Sequence, residues 1–320
     1  MVAPTLAWGL LGRGLGLVYA IAFSSMAVQM TALCGSQGAS PFSATLRQIE
    51  HGLSTNALAI LSHSLFWFVG TSDAALTLLP LAGSLVACLA AAGIASRLGL
   101  TFCWLILRSL DLPVGLLYPW DKLLFEAGAL AILLPPLPAL WGGDAVATTF
   151  ASSAPPHPWL GFAFRWLLAR VLLGFGKKKF VGTSLKHSCY IKNFLVAQPL
   201  PSPAGWLACR LPLPLFQLAL LGMFVVECIA PLFLFSVGTP RVTAAAAIGA
   251  LMIGIQLCGN FGHFNLLTIV LCAGGLDAHG SAFDPLPPLT AQEAAMRASL
   301  AAYVAFSSLF FLFDSWCVRA

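Results

Sequence analysis

The chain has 320 residues, of which 59% are hydrophobic and 8% charged, and carries a net charge of +5 from 16 basic and 11 acidic residues. Soluble domains run at about 45–50% apolar and about 25% charged, so a soluble globular fold is excluded and lipid must cover most of the exterior. A mean hydropathy of +0.90 points the same way, and the small positive excess fits loop cations near headgroups, with no nucleic acid partner.

A spanning helix needs about 20 mostly apolar residues, because lipid offers backbone amides no partners. In chain order the runs that qualify are 14–33, a short weaker one at 57–70, then 75–95 and 98–118. Next come 123–141, interrupted by Pro135, Pro136 and Pro138, and 160–175, which carries two arginines. The last four are 211–237, 242–258, 261–276 and 300–318. Of these about ten candidates, roughly eight are expected as full spans. They do not alternate apolar and polar residues as barrel strands do. The expected fold class is therefore an all-α polytopic transmembrane helix bundle of about eight spans, with polar loops and short interfacial segments. The first run exceeds the roughly 7–15 residues of a signal-peptide core, which favours a retained helix.

The polar segments organise the chain. Residues 1–141 read as an N-terminal transmembrane block with a first loop at 35–56, and 142–158 as a Gly-, Ser- and Pro-rich linker. Residues 159–320 read as a second block carrying the longest polar loop, 174–210, with Lys177, Lys178, Lys179, Lys186 and Lys192. The positive-inside rule assigns that loop to the cytosol. Of nine cysteines, six lie in apolar runs as small packing residues. Cys189 and Cys209 could pair in an oxidising compartment, the less favoured reading.

Ionisable residues inside spanning segments are candidates for function. Here they are Asp121, Glu126, Arg165, Arg170, Glu227, His263 and Asp314, joined by Asn260 and Asn265. Asp121 stands in the first turn of a helix opened by Tyr118-Pro119-Trp120, where a carboxylate meets the positive dipole end. Glu126 sits deeper and needs a partner, for which Arg165 or Arg170 would serve. Those two arginines differ by about 140° around a helix, so they cannot serve one narrow site. Pro231 frees a carbonyl near Glu227 and predicts a kink there. In the string from Gly259 to Thr268, Gly259 and Gly262 permit a tight turn and the asparagines can cap helices, which predicts a hairpin. A lone His263 and His187-x-Cys189 lack metal-ligand spacing. No phosphate loop or nucleophile elbow occurs. No catalytic residue, metal or cofactor is expected.

Six strings then stand together in order. They are Gly14 to Phe23 with Gly35-Ser36-Gln37-Gly38, the Trp-Asp-x-Leu-Leu-x-Glu-x-Gly pattern at Trp120 to Gly128, and Phe164-Arg165-Trp166 to Arg170. Gln198-Pro199 with Trp206, Val226-Glu227 with Pro231, and Gly259-Asn260-Phe261-Gly262 with Phe264-Asn265 complete the set. In these the chain resembles the lipase maturation factor family. The resemblance implies a multi-pass membrane protein of the endoplasmic reticulum. Such a protein would help secreted lipases or similar client proteins to fold and assemble, chaperone-like and without hydrolysis, its partners being the client and membrane lipid. It also implies that Trp120, Asp121, Glu126, Arg165, Arg170, Gln198, Pro199, Trp206, Glu227, Gly259, Asn260, Phe264 and Asn265 set helix geometry and loop shape. The family places loop 174–210 in the lumen, against the lysine count, and the six strings carry more weight. Two departures stand out. The sequence stops at Ala320 without the family's C-terminal lumenal region, and Gly176-Lys177-Lys178-Lys179 replaces a more acidic, tyrosine-rich stretch. An alternative is an intramembrane enzyme of vitamin K-dependent carboxylase-like fold acting on a lipid-like substrate. It requires Glu126, Arg165, Glu227 and His263 to converge. A transporter using the break at Pro231 is a third reading.

Overall fold

The computed structural model describes residues 2–52, 64–115, 118–141, 146–181, 190–198, 202–279 and 290–317. Among them every regular element is a helix, as backbone amides in lipid demand. Six of these helices are long and apolar enough to cross a membrane: Pro4–Cys34, Asp73–Ala91, Pro158–Lys177, Leu213–Phe233, Thr239–Cys258 and Ala291–Phe311. The chain divides into two compact units, one of residues 12–154 and one of residues 1–11 with 155–320.

The unit of residues 12–154 contains most of α1 (Pro4–Cys34), followed by α2 (Phe42–Gly52), α3 (Phe66–Val69), α4 (Asp73–Ala91), α5 (Ser96–Val114), α6 (Pro119–Ala131) and α7 (Val146–Phe150). Small residues bring its helices together, since backbones in lipid associate by packing and not by hydrophobic drive. A Cβ on Gly16 would lie 2.9 Å from the Ala91 methyl, and one on Gly99 would lie 2.7 Å from that of Ala90. Ser72 caps α4 by accepting from the Ala75 amide, and Asp73 accepts from the Ser36 amide and hydroxyl at 2.7 and 2.8 Å, tying the first loop to that helix start. Tyr19 crosses to α6, its hydroxyl donating to the Leu124 carbonyl at 3.3 Å, and Trp104 donates to the Phe125 carbonyl at 3.1 Å.

The expected span at 123–141 is only partly helical. Helix α6 ends at Ala131, and the prolines beyond it cannot continue an α-helix. The chain instead runs extended past the turn between α4 and α5, where Leu140 N–H donates to Ala92 O at 3.0 Å and Leu137 N–H to the Ser96 hydroxyl at 2.8 Å. Gly93 in that turn has φ +86, and a Cβ there would collide with the Pro138 carbonyl. The run 98–118 forms α5, whose three charges Arg97, Arg108 and Asp111 keep it from qualifying by hydropathy. Most of the weaker run at 57–70 lies outside the described residues.

The unit of residues 1–11 and 155–320 holds the first turns of α1, then α8 (Pro158–Val181), α9 (Tyr190–Val196), α10 (Pro203–Ala208), α11 (Leu213–Phe224), a π-turn (Val225–Ile229), α12 (Ala230–Phe233), α13 (Thr239–Cys258), α14 (Phe264–Cys272) and α15 (Ala291–Cys317). Helix α8 buries Leu160, Ala163, Phe164, Leu167, Leu168, Ala169 and Leu172, more than one face, as in a helix packed among others. It does not stop at Gly174, where the polar loop was expected to begin. It runs on to Val181, so Lys177, Lys178 and Lys179 belong to its last turns.

Candidate functional site

Glu227 sits in the π-turn, 2% exposed. Pro231 brings no N–H, and its ring excludes the carbonyl four residues back, that of Glu227. The helix answers by widening: the Ala230 amide reaches the Val225 carbonyl. Such single π-turns recur at functional positions. The side chain meets the amine of Lys179 from α8, which also lies 3.5 Å from the Met223 sulfur. Helix α8 passes close because of Gly176, where a Cβ would crowd the Cys228 sulfur and lie 3.2 Å from the Glu227 Cβ. One carboxylate oxygen, Oε1, takes the lysine; Oε2 is enclosed without a hydrogen-bond partner. The break expected at Pro231 takes the form of this π-turn, and its carboxylate is one half of an ion pair whose other half stood hidden in a lysine run.

The hairpin expected at Gly259 to Thr268 forms. Helix α13 ends at Cys258 and α14 begins at Phe264. Gly262 turns the chain with φ +57, its amide donating to the Asn260 side-chain oxygen at 3.1 Å. Gly259 works differently from the expectation. Its φ of −169 is extended backbone open to any residue. What it supplies is room, because a Cβ would come 2.9 Å from the Gln198 side-chain oxygen. Asn265 is buried and donates to Gln256 across the hairpin at 3.0 Å, and Phe264 packs edge-on against Phe175 of α8, with ring centroids 5.3 Å apart.

Residues 190–198 and 202–211 are laid on that hairpin. Phe194 of α9 stacks on Phe261 at 5.7 Å and 3°, and Gln198 donates back to the Phe194 carbonyl. Ser202 caps α10 through the Gly205 amide while its hydroxyl donates to Leu257 O at 2.5 Å. Gly205 lies against the Cys258 carbonyl with no space for a side chain. The far face of α10 is open: Trp206 is 56% and Leu207 60% exposed. The Arg210 guanidinium lies 3.6 Å over the Trp206 ring. Cys209 is a free thiol. Pro199 and Cys189, like Lys186 and His187, lie outside the described residues.

A second polar group forms where α1 begins. Trp8 donates its indole N–H to Asp277 Oδ2 at 2.9 Å, and the His279 amide donates to Oδ1 at 2.9 Å. Arg241 is 1% exposed and donates to the carbonyls of Ser236, Asp277 and His279 at 2.5 to 2.9 Å. Arg165 joins this group from α8, its two terminal nitrogens beside Gly161, where a Cβ would lie 3.4 Å from each. Glu227 packs on Gly176, eleven residues and about 16 Å further along α8. Arg165 and Glu227 thus belong to two separate places in this unit, and the convergence an intramembrane enzyme calls for is not made by this pair. Arg170 is half-buried between them on α8.

Trp120, Asp121 and Glu126 lie in the other unit, on α6. Pro119 opens the helix, Trp120 stacks on Tyr118 with ring centroids 4.6 Å apart, and Asp121 is 5% exposed in the first turn. Sequence reading passed over Trp8, Arg241 and Asp277, and took Lys179 for a loop cation. The available signal was an aspartate closing a Gly-Gly-Leu-Asp string after an apolar run, and an arginine beside the Pro240 that opens a span.

The family model described as the lipase maturation factor transmembrane domain matches residues 6–283. Lipase maturation factor 2 of Mus musculus is 32% identical over 292 residues, covering 85% of this chain and 40% of that protein. The Homo sapiens protein of the same name gives the same identity and coverage. Lipase maturation factor 1 of Mus musculus is 27% identical over 269 residues, 81% of this chain and 45% of that protein. The chain therefore spans less than half the length of these curated relatives. No solved structure matches.

Proposed function

The chain belongs to the lipase maturation factor family, and from that premise we propose that it assists the folding, assembly and export of secreted lipases or similar client proteins from the endoplasmic reticulum membrane. The observation that carries this reading is the exposed face of α10. Trp206 and Leu207 project from a segment outside the spanning helices. Fixed hydrogen bonds from Ser202 to the end of α13 hold that segment. A rigid, apolar, partly cationic face at the membrane edge offers a partly folded client a place to hold its unburied apolar surface. Exposed apolar patches on a supported scaffold are what interaction sites look like. Lys179, Glu227 and Asn265 position the helices beneath it.

The test is co-expression of this chain with a secreted dimeric lipase in cells lacking their own maturation factor, scoring lipase activity in the medium. Rescue is expected. Trp206→Ala with Leu207→Ser is expected to lower the rescue at least about tenfold while the protein stays abundant, in line with the weight of buried aromatic anchors. Undiminished rescue by that variant would remove α10 from the mechanism. Absence of rescue by the stable parent chain would overturn the maturation reading for this client class.

A further inference from the structure

We propose that Arg165 anchors a binding site for a phosphate oxyanion, at the end of the unit of residues 1–11 and 155–320 where α1 and α13 begin. The residue is 4% exposed. Its Nε is enclosed and has no hydrogen-bond partner, and no carboxylate of the described residues forms an ion pair with it. An arginine in a protein stays charged. A guanidinium left in low dielectric without a counter-charge is penalised by several kcal/mol.

The neighbours that could have answered it are already engaged. Both oxygens of Asp277 accept hydrogen bonds, from the Trp8 indole and the His279 amide. The carbonyls of Ser236, Asp277 and His279 point at Arg241. Arg241 also adds a second positive charge that acts on Arg165, opposed by Asp277 alone. With Asp277 shared between two buried arginines, an anion would complete the group.

The geometry selects the anion. The terminal nitrogens lie close over Gly161, where a Cβ would stand only 3.4 Å from both and 3.1 Å from the Trp8 ring, so the glycine lets the fork lie flat against α8 beside the indole. A planar fork with two parallel donors matches two oxygens of a phosphate. Arg165 is seven residues into α8, about 10 Å along its axis. This end of the helix also carries Trp159 and lies beside Trp8, and tryptophans concentrate at headgroup level. A phospholipid headgroup and free phosphate share this chemistry.

The full chain, purified in neutral detergent, would be titrated with inorganic phosphate. In parallel it would be placed in phosphatidylcholine nanodiscs with and without phosphatidic acid, thermal unfolding being followed in both. At least one probe is expected to raise the melting temperature of the parent chain. A response to inorganic phosphate identifies the free ion, and a response to phosphatidic acid alone identifies the lipid. Arg165→Lys keeps the charge and loses the fork, and Gly161→Ala keeps the arginine and displaces the fork from its place. Each is expected to weaken the response about tenfold, equivalent to about 1.4 kcal/mol, and Arg165→Met to abolish it. If neither probe acts on the parent chain, or the variants respond as it does, the site does not exist.

Discussion

Arg13 and Arg165 enter apolar helices in different units and are resolved in opposite ways. Arg13 is buried, yet its terminal nitrogens donate to three carbonyls, those of Ala91 at 2.7 Å, Pro138 at 2.6 Å and Thr149 at 2.8 Å. Only its Nε has no partner. Those carbonyls are available because α4 has just ended, the prolines after α6 forbid a helix, and α7 is a single short turn. Irregular backbone in a membrane is tolerated where protein buries it, and here one guanidinium satisfies three strands of it at once. Arg165 lies in the regular part of a 24-residue helix, whose carbonyls are all spent on their own turns. A buried arginine is therefore a clamp where the backbone breaks and a receptor where it does not.

The largest effect that would test this contrast is expected from Arg13→Met. It strips three enclosed carbonyls of their donor, at about 1–3 kcal/mol each before relaxation, and should lower unfolding stability by about 4 kcal/mol in detergent melts. Lys179→Met should come next, leaving Glu227 buried without its counter-charge and losing about 3 kcal/mol; pairing it with Glu227→Met should recover most of that loss. Gly93→Ala sets a side chain at φ +86 against the Pro138 carbonyl. It should remove about 2 kcal/mol and should not add to Arg13→Met, because both act through the same carbonyl. Arg165→Met, measured without phosphate or anionic lipid, should not lower stability and should raise it by about 1 kcal/mol or more, since an apolar residue replaces an unanswered charge. A loss as large as that for Arg13→Met would erase the distinction between the two arginines.

Six of the roughly eight expected spans were legible, because lipid leaves the sequence little freedom: long apolar runs must be helices. The hairpin at Gly262 and the break at Pro231 were legible because a turn and a missing N–H are local facts. What could not be read were relations across the chain. Lys179 looks like a loop cation until Glu227, 48 residues on, draws it into a helix. Trp8 and Asp277 are 269 residues apart, and nothing in either neighbourhood announces the other. Gly259 shows the limit from the other side. The sequence marks it as special, but the reason is the approach of Gln198 and not the turn it was expected to make. The site residues Arg165, Glu227 and Asn265 were found by the rule that polar groups in lipid need a reason. Their partners emerged only with the packing.

The π-turn at Val225–Ile229 gives the fourth long helix a spare residue. Each residue advances a helix by about 100°, so the stripe of side chains below the turn and the stripe above it are threaded out of step. Leu234 lies fully buried, 3.3 Å from where a Gly275 side chain would begin, only because the spare residue has rotated it there. Removing one residue between 225 and 229 would leave composition, hydropathy and length almost unchanged. It would still swing Leu234 toward the exposed position now held by Phe233 and pull Phe235 away from Phe162 and Trp166. The phase of this screw, more than the identity of any one residue in it, decides which side of the helix the rest of the unit meets.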